Sequence, residues 1–454
     1  MRLIPCTLLC LIIAGCATQT TTIPDMGVIP QQTIVAGYKI DSEWWKTYHD
    51  ENLNKLVAVA LENNIDLKKS AITVNKALYE ANLLGQNLVP EFSGSLGASV
   101  SNNMKAGQTS HNYTSELGVS YEIDLWRKLS SAASAQEWEY KATQQDMETT
   151  RLALINNVVD SYFHLVYLNQ AIRVTEENIG FYTQLLQIIN NKFTSGKVEA
   201  LEPLTAEKSL LASRNSLMTL ENNRKTVEQT LRNLLNLRPG DKLDIKTADI
   251  LMTPATNVDL NVPISALGLR PDVKAAEYRI QSAFLDWESV KASVYPSVTI
   301  GSTLSTASNK SSSMFNVPFL GGTVNINLPF LQWNKIKWNI KISEADFENA
   351  RLNLTSSVNT ALNEVDTYYY SYEKSVSLLD NLSRRYDNDA KISVYNRMRY
   401  EAGATELKDW LDAKTSENSS MLSLLEGKYN TITYENAIYK SLGAKLSANQ
   451  VSKP

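Results

Sequence analysis

Two hydrophobic periods succeed one another along this chain, and the succession occurs twice. Over residues 50–88 apolar side chains recur every three or four positions (Leu53, Leu56, Val57, Ala60, Leu61), which predicts an amphipathic helix. Pro90 ends that run and period-two alternation begins. Phe92, Gly94, Leu96, Ala98 and Val100 share one face, and Ser93, Ser95, Gly97, Ser99 and Ser101 share the other. After a polar loop at 102–112 the alternation resumes, with Tyr113, Ser115, Leu117, Val119, Tyr121, Ile123 and Leu125 on one side. These segments predict strands at about 91–101 and 113–125. From 126 to 192 the period returns to helical: no proline interrupts it, and Leu152, Ile155, Val159, Tyr162 and Val166 mark a heptad seam.

The second half repeats the order. Strands are predicted at about 297–308 and 320–330, from Val298, Ile300 and Leu304 and then Val324, Ile326 and Leu328. A helical run over 333–399 carries the seam Val358, Leu362, Val365, Tyr369, Tyr372, Val376 and Leu379. Each long run ends near a glycine, Gly196 or Gly403, and a further helix follows at 204–236 or 407–443. Asp66 and Asp272 are 206 residues apart, as are Pro90 and Pro296, and the two glycines are 207 apart. The chain is a duplication of one hairpin-like unit. Its divisions are a leader at 1–15, a Thr-, Gln- and Pro-bearing tether at 16–41, repeats at 42–247 and 248–443, and a tail at 444–454.

Strands of this length suit a tilted bilayer crossing, or equally a soluble sandwich with one wet face. Four strands cannot close a barrel, and open edges in lipid would leave backbone groups unsatisfied. If the strands span a membrane, several chains must share one barrel: three chains give twelve strands, two give eight. Helices of some 65 residues would reach about 100 Å at 1.5 Å per residue, more than a globular core needs, unless they are broken into a compact bundle.

Composition narrows the class. The chain has 454 residues, 43% hydrophobic and 20% charged, with a net charge of -4. That mild acidity does not suit a nucleic-acid binder. His49, His111 and His164 share no metal motif, and no phosphate loop or catalytic signature occurs, so no enzyme activity and no cofactor are expected. Cys6, Cys10 and Cys16 are the only cysteines. A body without cysteine behind an apolar leader suits an exported protein. The stretch Ile13-Ala14-Gly15-Cys16 resembles the bacterial lipobox, in which the cysteine is acylated after cleavage; an ordinary signal peptide with an incidental cysteine is the alternative. Ala17 is compatible with export of such a lipoprotein to the outer membrane of a Gram-negative bacterium.

Four stretches resemble the TolC-type outer membrane efflux proteins, in particular their lipoprotein branch. They are Trp44-Trp45 with Asp50, Leu53, Leu56 and Asn64-Ile65-Asp66-Leu67; Leu269-Arg270-Pro271-Asp272-Val273; Pro90 with Pro296; and Tyr400-Glu401-Ala402-Gly403 through Asp409-Trp410-Leu411-Asp412. The resemblance implies a mainly α chain with membrane β. Three copies would form a 12-stranded β-barrel, four strands per chain, continued by a long α-helical periplasmic barrel. A small mixed α/β equatorial region would include parts of 42–65 and 237–270. It implies a passive exit duct served by a periplasmic adaptor protein and an inner-membrane pump of the RND or another type. The covalent lipid on Cys16 would contact outer membrane lipid.

At i and i+3, Asp409 and Asp412 share a helix face. Spacing alone fits an ordinary solvated face better than a site. The resemblance places them as a carboxylate ring at the periplasmic entrance, where such a ring selects for cations. It also matches Tyr400 to a gate tyrosine and Glu202 to its partner, with Gly196 and Gly403 at the helix turns. The family's closing arginine is matched by Thr405 and its partner threonine by Leu201, so that lock is absent. Two other readings stay open: an outlet for type I protein secretion, and a periplasmic coiled-coil adaptor lipoprotein. The exported substrate, drug, metal ion or protein, is not legible.

Overall fold

The computed structural model describes residues 38–448, apart from 244, 246–247, 255–257, 260–263 and 317–318. Cys16, with the leader and the tether before residue 38, lies outside the described residues.

The first repeat opens with α1 (Glu51–Asn63) and α2 (Ile65–Gly85). The single helix expected over 50–88 is therefore two. Asn64 sits between them with ψ 129°, outside the helical range, and its side-chain oxygen accepts from Asp66 N and Leu67 N, each at 3.0 Å. An asparagine that caps the next helix interrupts the preceding one without disturbing the apolar period. Strands β2 (Glu91–Asn103) and β3 (Gln108–Ile123) follow, then α3 (Lys128–Thr194) and α4 (Leu201–Leu234). The second repeat supplies α5 (Pro271–Ala292), β4 (Ser297–Ser308), β5 (Phe319–Asn327), α6 (Trp333–Glu401) and α7 (Leu407–Ser441). Both long runs are unbroken helices, of 67 and 69 residues.

The four long strands form one antiparallel sheet in the order β2-β3-β4-β5. Register keeps the two faces chemically distinct. Gly94, Leu117, Leu304 and Leu320 form one row across the sheet, and Tyr121, Ile300 and Val324 another. On the opposite face, Ser95, Glu116 and Ser305 align, as do Ser93, Gly118 and Thr303. The apolar face lies open, with Phe92 80% and Leu320 77% exposed. Gly118 allows close approach on the polar face, since a Cβ there would lie 2.7 Å from Ser93 Oγ. The hairpin is longer than the expected polar loop allowed: pairing runs to Asn103↔Gln108, and Asn103 caps its tip by accepting from Lys105 N and Ala106 N. At the other end β3 stops at Ile123 and β5 at Asn327, because Asp124 turns to cap α3 and Pro329 opens a 3-10 turn.

Mid-body, β1 (Tyr38–Asp41) pairs antiparallel with β6 (Lys445–Ala448). The segment expected as a tail thus holds a strand, and it joins the two ends of the described chain. The expected equatorial segments contribute 3-10 turns at Trp44–Tyr48, Ile250–Met252 and Ile264–Leu269. The largest apolar core gathers there, where Trp44, Trp45 and Tyr48 pack with Leu53, Ile155, Val158, Tyr162, Leu231 and Ile432. No helix among the described residues is long and apolar enough to cross a membrane.

Candidate functional site at the helical tips and the mid-body joints

Both helical hairpins turn in the same way. Gly196 and Gly403 adopt φ of +69° and +73°, a left-handed conformation that glycine enters without a Cβ penalty. Lys197 N then reaches back to Lys192 O, and Ala404 N to Arg399 O, each at 2.8 Å. These bonds satisfy carbonyls that the helix end would otherwise leave free.

The tips of one chain are joined to each other. Leu411, fully buried, packs with Leu185, Ile189 and Ala206 of the first hairpin. Around this contact Lys192 pairs with Glu406, and Lys408 lies 3.9 Å from Glu202. Glu202 is therefore engaged by a lysine of the same chain. Tyr400 stacks on Trp410, rings 5.9 Å apart and 20° from parallel, and Arg397 lies over the same indole. Among the described residues Tyr400 and Glu202 share no hydrogen bond within one chain.

Asp409 and Asp412 differ in state despite sharing a face. Asp409 is the third residue of α7 and completes a capping box with Glu406: its carboxylate accepts from Glu406 N at 3.3 Å. It also accepts from the Thr405 hydroxyl, so the residue matched to the family's arginine supplies a donor instead. That hydroxyl, then the backbone bond, hold the Asp409 carboxyl below its ordinary range. Among the described residues Asp412 has no such donor. Partial desolvation against the packed tip pushes it up, Asp409 and Glu202 add to this, and Lys408 opposes it. The two carboxyls are thus shifted in opposite directions, Asp409 down and Asp412 up.

Three residues that hold the hairpins in place, Trp44, Asn64 and Arg270, lie in the stretches the sequence singles out, but their structural role and their partners were not evident there. Arg270 is 8% exposed along its side chain and ties three helices. Its guanidinium meets Asp272 at 2.6 Å, Glu364 of α6 at 2.9 Å and the carbonyl of Ser441, at the end of α7, at 3.0 Å. Asn64 has the same function in the first repeat, donating to Leu234 O at the end of α4 at 3.0 Å. A second joint is built on Asn436, fully buried in α7. Its Oδ1 accepts from Trp44 Nε1 at 2.9 Å, and its Nδ2 donates to Asp160 at 2.7 Å and Asn156 O at 3.1 Å. The available signal was polar residues, Asn156 and Asp160, beside an apolar heptad seam; their partner lies far along the chain.

This arrangement, long paired helices beneath an amphipathic sheet, recurs in known proteins. The family model for outer membrane efflux proteins matches residues 56–237 and again 262–444, one match per repeat. The chain is 45% identical over 420 residues to the toxin and drug export protein A of Aggregatibacter actinomycetemcomitans, covering 92% of each protein. It is 24% identical to the cation efflux system protein CusC of Escherichia coli K12, covering 97% of this chain and 99% of that one. Its fold superposes on that of the outer-membrane channel OprN with a TM-score of 0.80 at 22% identity, covering 89% of this chain and 93% of the other. The chain belongs to the outer membrane efflux protein family, and it is an outer membrane efflux channel.

Proposed function

We propose that three copies of the chain form one passive duct, which receives substrate from a periplasmic adaptor and an inner-membrane pump and releases it outside the cell. Acylation of Cys16 would add a lipid anchor. The observation that carries the assembly is the sheet: among the described residues both of its outer strands, β2 and β5, have a free edge, and its apolar face is open. In lipid those edges require partner strands, which further copies of the same chain provide in a closed ring. The helices support the same reading. In one chain the lower helices lie in the order α4-α3-α7-α6, so α4 and α6 are its flanks. On α4, Leu204, Leu211 and Met218 recur at heptad spacing and are 64%, 49% and 63% exposed. Such a stripe fits the flank of a neighbouring α6, where Ile392, Tyr395 and Met398 are also exposed.

Leu211→Asp is expected to convert detergent-stable trimers to monomers while circular dichroism keeps its helical signal. Trimers that survive this substitution would remove the α4 seam from the interface. Duct function itself is tested by single-channel recording of the full-length protein. At its entrance we assign the ring to Asp409 and Asp412, six carboxylates in three chains. Replacing both by asparagine is expected to weaken block by multivalent cations several-fold, and unchanged block would locate selectivity elsewhere. The relatives named for toxin and drug export and for cation efflux keep drugs, metal ions and protein within this reading as cargo. A Tyr400–Glu202 latch between neighbouring chains would add to the Lys408 contact, which engages one Glu202 oxygen at 3.9 Å.

A further inference from the structure

Asp160 projects into the joint where α3, α7 and the amino-terminal turn meet. Each of its carboxylate oxygens is met by one amide: Oδ1 accepts from Asn436 Nδ2 at 2.7 Å, Oδ2 from Asn156 Nδ2 at 3.0 Å. The two asparagines differ in freedom. Asn436 is locked as a donor, because its own Oδ1 is held by the Trp44 indole. Asn156 is buried, and its Oδ1 has no hydrogen-bond partner among the described residues. Its amide can therefore rotate by half a turn without breaking another bond. Unrotated, it donates to an ionised carboxylate; rotated, it accepts from a protonated one.

We infer that Asp160 Oδ2 is a reversible proton-binding site, read by rotation of the Asn156 amide, which sets how firmly α3 grips α7 and the amino-terminal turn. It goes beyond duct function and rests on no assumption about the number of chains. The charged and titratable surroundings are consistent with a proton that is held but exchangeable. From α7, Lys440 favours the ionised form, while Glu435, Tyr439 and Tyr429 face the joint; Tyr48 enters from the amino-terminal turn, and Tyr368 and Tyr372 from α6. Desolvation dominates and raises the carboxyl to about 6, against the bonds from Asn436 and Asn156. A raised folded-state value means stability that is complete below the unfolded carboxylate range and is lost as pH rises through about 6. The joint is therefore tighter in acid.

The test is the thermal midpoint of the full-length channel in detergent between pH 8 and pH 5. The wild type is expected to gain a few degrees, in a step that sets in as pH falls below about 6 and is still rising at pH 5. D160N, which keeps the shape and presents a permanent donor to the rotated Asn156, is expected to start high and show no step. H49Q, H164Q and E435Q are expected to keep it. A wild type without the step, a step that survives in D160N, or one that vanishes in a histidine or Glu435 variant would overturn the assignment. If D160N does not fold, infrared difference spectra of wild type carrying labelled aspartate decide instead. A protonated carboxyl band present at pH 5 and absent at pH 8 supports the site; no change refutes it. None of these outcomes depends on conductance, so duct function stands or falls separately.

Discussion

Arg270→Ala is expected to destabilise the mid-body by about 3 kcal/mol, the low end for breaking a buried ion pair, because Asp272 and Glu364 keep solvent access and rehydrate. The variant also loses the guanidinium bond to Ser441 O, so α7 is released at its end and β6 with it. A pH series identifies the cause. Partial burial pushes Asp272 up, but Arg270 outweighs it and holds the carboxyl below its ordinary range. Such a group adds stability above its unfolded value and loses it as pH falls through the depressed one. The difference in thermal midpoint between wild type and variant should therefore be full at neutral pH and shrink below about pH 4, the unfolded aspartate range. A difference independent of pH would mean that packing, not charge, is what Arg270 contributes. Arg270→Lys should recover only part of the loss, since an ammonium cannot reproduce the bidentate contact with Asp272.

Trp44→Ala is expected to cost about 4 kcal/mol, as for other fully buried tryptophans. The indole packs edge-on against Trp45 at 5.5 Å, and its N–H is the group that fixes the orientation of Asn436. Truncation leaves a cavity and frees that amide to turn away from Asp160. Trp44→Phe separates the two effects. It retains most of the volume and leaves Asn436 Oδ1 buried without a donor, for about 1–3 kcal/mol. Protease cleavage in the amino-terminal segment should rise steeply for the alanine variant and modestly for the phenylalanine variant. Equal sensitivity of the two would show that the hydrogen bond alone secures the segment.

What could be read from the sequence had a local cause. Strand parity on Phe92, Leu96 and Leu117 reports which face a side chain takes, and the register places those residues on one face. Gly196 and Gly403 end long helices because each turn needs a backbone that glycine enters freely. The duplication could be counted from Asp66 and Asp272. It went further than the count implied: Asn64 and Arg270, at the same offset, each hold the last turn of their repeat's final helix, one by an amide and one by a guanidinium. What stayed hidden depends on distant partners. Nothing near Lys445 announces that Tyr38 lies beside Ala448, and nothing near Asp160 announces Asn436. At the tip, Thr405 stands where the family has its closing arginine, and in the fold its hydroxyl donates to Asp409 and lowers that carboxyl's pKa.

The β3–β4 ladder carries a consequence for how the molecule is made. It pairs Ile123 with Val298 and so closes a loop that contains all of α3 and α4. Closing a loop of that length is entropically costly until the helices have drawn its ends together. The helical hairpins, whose contacts are closer in sequence, can form first and in water. The sheet comes last, and its outer strands find partners only on other copies. Loop closure thus favours an order in which the helices pair before the sheet forms, a sequence that hydrogen-exchange labelling during refolding would read directly.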